Sequence, residues 1–232
     1  MDAIRGGEAE LRGDDARHLT RVLRAQPGQL YEITDGRNAY LAEISEARAD
    51  FVLFRVLDPV ASPELAVSIT LLPALIKFDR FEWIIEKATE LGVERILPVE
   101  TARSEKGLLA AAAKRGERWA RIAKESSQQS RRLRAPAILL AARFDAALAM
   151  TAGHRFILDE ATAPPLLRVL PSPAERSTSV ALLAGPEGGW TAEERHEAIT
   201  AGWQPASLGP YILRTETAVA AAIAIVANAW CS

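Results

Sequence analysis

Apolar positions along the chain change their rhythm near residue 60. Before that point they alternate with polar ones. The stretch "GQLYEITDGRNAYLAEI" (28–44) reads as two strands around Asp35-Gly36, where glycine accepts the positive φ of a tight hairpin. "DFVLFRVL" (50–57) supplies another strand. Ahead of them, "DDARHLTRVLR" (14–24) puts Leu19, Val22 and Leu23 on one helical face. Arg17, Arg21 and Arg24 fall at i, i+4 and i+7 and form a second stripe. "DPVASPE" (58–64), with its two prolines, reads as a linker.

Beyond the linker, strand-like runs alternate with helical patterns. The runs are 66–75, 95–100, 155–160, 179–185 and 205–209, and the helical patterns are 79–91, 114–134, 191–201 and 215–229. This alternation predicts a mostly parallel sheet covered by helices on both faces. Within 114–134, Trp119, Ile122, Ser126, Ser130 and Leu133 mark one buried face. The segment carries eight Lys/Arg against two Glu, with Arg131, Arg132 and Arg134 clustered at its end. Such a run is either a solvated face or a phosphate-contacting surface.

Composition narrows the classes. A chain of 232 residues, 49% hydrophobic and 25% charged, can bury a full core as one large domain or two modest ones. A net charge of −2 argues against indiscriminate coating of nucleic acid but leaves room for local basic patches. The single cysteine, Cys231, permits neither an internal disulfide nor a Cys-His metal cluster, and suits a reducing cytoplasm. "MDAIRGGEAELRGDD" lacks the apolar core of a signal peptide, and "AVAAAIAIVANAW" (218–230) is too short to span a bilayer. His18, His154 and His196 have no local spacing that suggests a hydrolase triad.

Two glycine turns carry the candidate chemistry. In "SVALLAGPEGGWTAEE" (179–194) an apolar run stops at Gly185, Pro186, Glu187, Gly188 and Gly189, and Thr191 with Glu194 forms a T-x-x-E helix start. The spacing matches neither the dinucleotide nor the phosphate-loop pattern. The turn is either simple punctuation or a place where backbone approaches a ligand. "SLGPYILRTETAVAAAIAIV" (207–226) repeats the order strand, glycine turn, helix. Thr215 or Thr217 can cap that helix and Glu216 suits its dipole, but Arg214 is a cation at the wrong end. An anion, or developing negative charge, beside the helix start would account for it.

Together "LLAGPEGGWTAEE" and "SLGPYILRTETAVAAAI" resemble the hallmark segments of the ribosomal RNA small-subunit methyltransferase E family, of the SPOUT (α/β-knot) superfamily. "FEWIIEKATELGVERILPVETARSE" (81–105), "RWARIAKESSQQSRRLRAP" (118–136) and "HLTRVLRAQPGQLYEITDG" (18–36) match its other segments in order. The resemblance implies an N-terminal PUA-like small β-barrel (1–62) and a C-terminal α/β methyltransferase domain with a deep trefoil knot (63–232). It implies methyl transfer from S-adenosylmethionine to N3 of a uridine in 16S ribosomal RNA of the 30S subunit. It also implies a cytoplasmic homodimer, with no membrane and no metal. The cofactor would lie on Leu183, Ala184, Gly185, Pro186, Gly188, Gly189, Leu208, Gly209, Ile212, Leu213, Thr215, Thr217 and Ala218. Arg214 and Glu187 would stand nearest the chemistry, with Glu187, Glu216 or water taking the N3 proton. Arg17, His18, Arg21, Arg24, Lys77, Gln129, Arg131 and Arg132 would contact RNA. Lys87 and Glu90 are equally read as a helix-face ion pair. Two rivals stay open: methylation of a ribose 2′-OH by an enzyme of the same superfamily, and a non-catalytic RNA-binding assembly factor. Enzymes of the first kind typically carry an asparagine where Gly209 stands.

Overall fold

In the computed structural model, residues 4, 6–61, 65–160, 163–172 and 178–230 are described. They form two compact units, one reaching to residue 61 and taking in Arg131–Arg134, the other holding the rest. The expected boundary at 62–63, and Cys231, lie outside the described residues.

In the first unit, strands β1 (Glu8–Arg12), β2 (Leu30–Thr34), β3 (Ala39–Arg48) and β4 (Phe51–Val60) form an antiparallel sheet in the order β1-β4-β3-β2. Ile33, Ala42, Ile44, Val52 and Phe54 meet beneath it. At the β2–β3 turn, Asp35 Oδ1 accepts from the backbone N–H of Arg37 (2.7 Å) and Asn38 (2.8 Å), and Gly36 takes φ +82°. Those two donors hold the Asp35 carboxyl below its ordinary range.

Two details differ from the sequence reading. Asp58, Pro59 and Val60 belong to β4 rather than to a linker. The β1 ladder reaches only to Glu8 opposite Arg55, so Pro59 sits on a stretch paired with β3 alone, an edge where proline is tolerated. The single helix expected over 14–24 is a short α1 (Gly13–Arg17) followed by a π-helical turn, His18–Val22. The wider turn changes which side chains share a face. Leu19 is buried, whereas Val22 and Leu23 are 63% and 55% exposed. Arg24 leaves the helix at φ +53°, so Arg17, Arg21 and Arg24 do not form one helical stripe.

The second unit contains β5 (Ser68–Pro73), α2 (Phe78–Glu90), β6 (Arg95–Ile96), β7 (Val99–Glu100), α3 (Leu108–Ala112), α4 (Gly116–Gln129), β8 (Ala137–Ile138) and β9 (Ala142–Arg143). It continues through α5 (Phe144–Leu148), β10 (His154–Leu158), α6 (Leu166–Val169), β11 (Ser179–Ala184), α7 (Ala192–Thr200), β12 (Gln204–Ala206) and α8 (Thr215–Trp230). Six strands make a parallel sheet in the order β12-β10-β11-β5-β6-β8. Alternate residues of β11 serve opposite faces. Val180, Leu182 and Ala184 join the core under α2, α4 and α8, while Ala181 and Leu183 join the core under α5 and α7. Continuous apolar runs with no polar alternation follow from this two-sided burial.

The basic helix is also shorter than expected. Gly116 begins α4, and the helix ends at Gln129, where Arg131 adopts φ +56°. That left-handed position is a helix terminator usually held by glycine. The hydroxyls of Ser127 and Ser130 bond back to the carbonyls of Lys124 and Ser126, each at 2.8 Å. Arg131–Arg134 then belong to the first unit, with Arg131 3.5 Å from Glu32 and Arg134 donating to the Gly36 carbonyl.

Candidate functional site

Strands β12, β10 and β11 lie side by side, and parallel pairing brings their carboxyl ends to one edge. β10 runs on into Asp159-Glu160, β11 into the 185–190 turn, and β12 into the loop 207–214 that leads to α8. An open cleft of about 580 Å³, mouth included, lies over these three ends.

The first turn is closed by the Gly189 N–H donating to the Pro186 carbonyl (2.9 Å). Its exit is fixed by the expected capping box: the Glu194 N–H donates to Thr191 Oγ1 (3.1 Å) and the Thr191 N–H to Glu194 Oε2 (3.0 Å). Glu194 also accepts from the Ala102 N–H at 2.7 Å, so this buried carboxylate ties two loops together. The glycines have separate reasons. A Cβ at Gly185 would stand 2.9 Å from Trp190 Cε2, and that ring is buried, with its Nε1 donating to the Leu158 carbonyl at 2.8 Å. Gly189 needs its φ of +68°. A Cβ at Gly188 would meet only the Arg103 side chain, at 3.1 Å.

The second turn is fastened to the first. Thr215 Oγ1 donates to the Gly185 carbonyl at 3.0 Å. Its hydroxyl therefore does not cap α8. The first helical bond runs from the Ala218 N–H to the Arg214 carbonyl (2.9 Å), which places Arg214 itself at the cap position. Gly209 adopts φ +123°, a conformation open to glycine although a Cβ there would meet nothing.

The structure brings Ala184, Gly185, Pro186, Gly189, Leu208, Gly209, Leu213, Thr215 and Ala218 together around the cleft. The other four are not part of its lining. Leu183 is fully buried in the core under α5 and α7, Gly188 lies off the lining, Ile212 is 80% exposed, and Thr217 is exposed on α8. The cleft also includes Leu158, Asp159, Glu160, Trp190, Ala206 and Tyr211, which the motifs alone did not mark. The signal for Asp159 and Glu160 was their place just after a parallel strand.

Of the charged side chains on these loops, Asp159 and Glu160 line the cleft, while Glu187, Arg214 and Glu216 are outside its lining. Asp159 Oδ2 accepts from Arg195 Nε at 2.8 Å, and that bond raises the Arg195 pKa above its ordinary value. Glu187 is exposed and ion-paired with Arg80, and Arg103 donates to the Gly188 carbonyl. Arg214 is exposed. One oxygen of Glu216, Oε2, is buried without a hydrogen-bond partner among the described residues. The same residues contain no group of three His, Cys, Asp or Glu that could hold a metal ion.

The expected RNA contacts do not converge on one element. Lys77 is exposed at the start of α2 and Gln129 at the end of α4. Arg17, paired with Asp14, His18, Arg21 and Arg24 are exposed in the first unit, as is Arg131, while Arg132 is half-buried. Lys87 bonds Glu90 at 2.9 Å and Glu86 at 2.7 Å. Those carboxylates raise its pKa and make the pair a helix-face contact.

The chain matches the RNA methyltransferase domain model over residues 63–227 and the RNA methyltransferase PUA domain model over 11–57. Ribosomal RNA small subunit methyltransferase E of Synechocystis is 34% identical over 89% of this chain and 68% of its own length. The protein of that name from Mycobacterium tuberculosis is 31% identical over 95% of this chain and 86% of its own. Among solved structures, a ribosomal RNA small subunit methyltransferase E from Neisseria gonorrhoeae bound to S-adenosyl methionine superposes with a TM-score of 0.88. It is 31% identical, covering 99% of this chain and 96% of that one. A putative methyltransferase from Legionella pneumophila, also in complex with that cofactor, gives 0.87 at 28% identity, over 99% and 95% of the two chains.

Proposed function

Since this chain belongs to the ribosomal RNA small subunit methyltransferase E family, we propose that it methylates N3 of a uridine in 16S ribosomal RNA, with S-adenosylmethionine as donor. The observation that carries the reading is the pair of glycine turns tied by Thr215 and Gly185 around a cleft at the carboxyl edge of the sheet. Similar proteins bind S-adenosylmethionine, and the cleft suits it. Leu158, Ala184, Ala206 and Leu208 offer apolar surface for an adenine, and Glu160 adds a carboxylate beside a ligand of net positive charge. Gly185 keeps the floor clear, because a side chain there would collide with Trp190.

When bound, S-adenosylmethionine supplies an electrophilic methyl on a sulfonium centre. The residues of this chain then have to manage a proton and a charge. N3 of uridine must lose its proton to become nucleophilic, and negative charge spreads over N3, C4 and O4. Arg214, exposed at the start of α8, stabilises that charge. Of the two carboxylates on the turns, Glu187 already carries Arg80, while Glu216 has an oxygen with no partner. The proton goes to Glu187, Glu216 or a water.

Several finer features belong to the same reading. The chain forms a deep trefoil knot around α8 and works as a cytoplasmic homodimer through that alanine-rich helix. The residues up to 62 make the RNA-binding domain, with Arg17, His18, Arg21 and Arg24 on phosphates; Lys77, Gln129, Arg131 and Arg132 add contacts. Gly209 after Ser207-Leu208 favours base over ribose methylation. A pure binding module would have no use for the cleft. Calorimetric titration of the protein with S-adenosylmethionine, without RNA, should give saturable binding to one site per chain. No binding at millimolar cofactor would contradict the reading.

A further inference from the structure

Of the aromatic side chains at the cleft, Trp190 is 2% exposed and held by its bond to Leu158, so neither face is free. Tyr211 is the opposite. It lines the cleft at the rim, is 81% exposed, and among the described residues meets no aromatic partner and makes no hydrogen bond. Trp83, also exposed, lies on α2 beneath Lys87 and outside the cleft lining. Two residues separate Tyr211 from Arg214 on one loop, a Cα–Cα span of at most roughly 11 Å even if fully extended. A ring that lines the cleft and an exposed guanidinium therefore belong to one short stretch of chain.

We propose that Tyr211 is the platform on which the target uridine stacks after leaving its RNA fold. The inference rests on the reading of the reaction as methylation at N3. That atom lies on the Watson–Crick edge, so a paired uridine cannot present it, and the base must be turned out of its helix or loop. An extruded base gives up its stacking neighbours, and an exposed aromatic face at the receiving site restores one of them. The rest of the lining, mostly aliphatic or small residues with Asp159, Glu160 and the buried Trp190, suits the cofactor and leaves the exposed ring for an incoming base. With the base on Tyr211, its N3–C4–O4 edge lies within reach of Arg214. Stacking alone would not choose among bases, so Tyr211 holds the base while Arg214 responds to the charge that uridine develops.

The test is single-turnover methyl transfer at saturating S-adenosylmethionine, using small ribosomal subunits from cells that lack this gene. Tyr211→Ala should slow transfer by roughly tenfold or more, the scale of losing one base–aromatic stack. Tyr211→Phe, which keeps the face and drops the hydroxyl, should stay within about twofold of the parent. Cofactor affinity and sedimentation should be unchanged in both. A parental rate in Tyr211→Ala would overturn the inference. So would a loss matched by weaker cofactor binding or by a change in oligomeric state, which would assign the ring to the cofactor wall or to a subunit contact. A loss in Tyr211→Phe equal to that in Tyr211→Ala would show that the hydroxyl matters rather than the face. Parental methylation at a ribose would overturn the reading of the reaction; parental base methylation unaffected by Tyr211→Ala would overturn this inference alone.

Discussion

Gly185 and Gly188 stand three residues apart in one turn, yet substitution should affect them differently. At Gly185 an added methyl meets the buried Trp190 ring at 2.9 Å, and moving that ring breaks its bond to Leu158 and deforms the cleft. Gly185→Ala should cost about 1–3 kcal/mol in stability, the scale of overpacking a filled site, and weaken cofactor binding. Gly188→Ala meets only the Arg103 side chain, which can swing aside, and should change either quantity little. Thermal unfolding and calorimetry on both variants check this; equal effects at the two positions would contradict it. The motif marks both glycines alike, because one-dimensional spacing does not say which neighbour each Cβ would meet. Leu183 is illegible for a related reason. It sits inside the hallmark segment, but strand alternation buries its side chain in the core under α5 and α7.

Among the elements, α2 and α4 show how charge on a helix divides between structure and surface. Arg118 binds Glu82 through two nitrogens at 2.6 and 2.7 Å, and Arg115 reaches the same carboxylate at 3.3 Å. Two cations of the basic run thus hold helices together beside the Phe81–Trp119 contact. The Arg118 bond lowers the Glu82 pKa, so the pair's stability is present above the ordinary carboxylate range and lost as pH falls through the folded value. Glu82→Gln should lower stability by about 1 kcal/mol at neutral pH. The gap to the parent should narrow as pH falls below the ordinary carboxylate range and close only below the lowered folded value. A gap that persists in acid would point to packing rather than charge. The longer strands and α2, α4, α7 and α8 are readable in the sequence, since parallel strands buried on both faces are plain apolar runs and Thr191-x-x-Glu194 signs its helix, whereas β1, β8, β9 and the short α3, α5 and α6 are not. What stays hidden is where a regular pattern stops: the π-turn at His18–Val22 and the left-handed Arg131 interrupt periodicities that continue unbroken in the sequence.

For the whole molecule, the two units correspond to two tasks in the proposed account. The second unit carries the cleft, Arg214 and Tyr211, and the first presents exposed cations at Arg21 and Arg24. No helix of the described residues is long and apolar enough to cross a membrane. The central claim is that this chain places one methyl group on N3 of one uridine and that Arg214 serves the transition state. If so, Arg214 contributes to turnover rather than to binding. The most direct measurement is to incubate the purified protein and labelled S-adenosylmethionine with small subunits lacking the modification, then locate the methyl by mass spectrometry of RNA digests. The account predicts a single 3-methyluridine from the parent. It predicts roughly a hundredfold slower formation from Arg214→Ala, the scale of removing one preorganised donor, with cofactor affinity kept. A methyl on a ribose, no transfer at all, or an Arg214→Ala protein with parental turnover would contradict it.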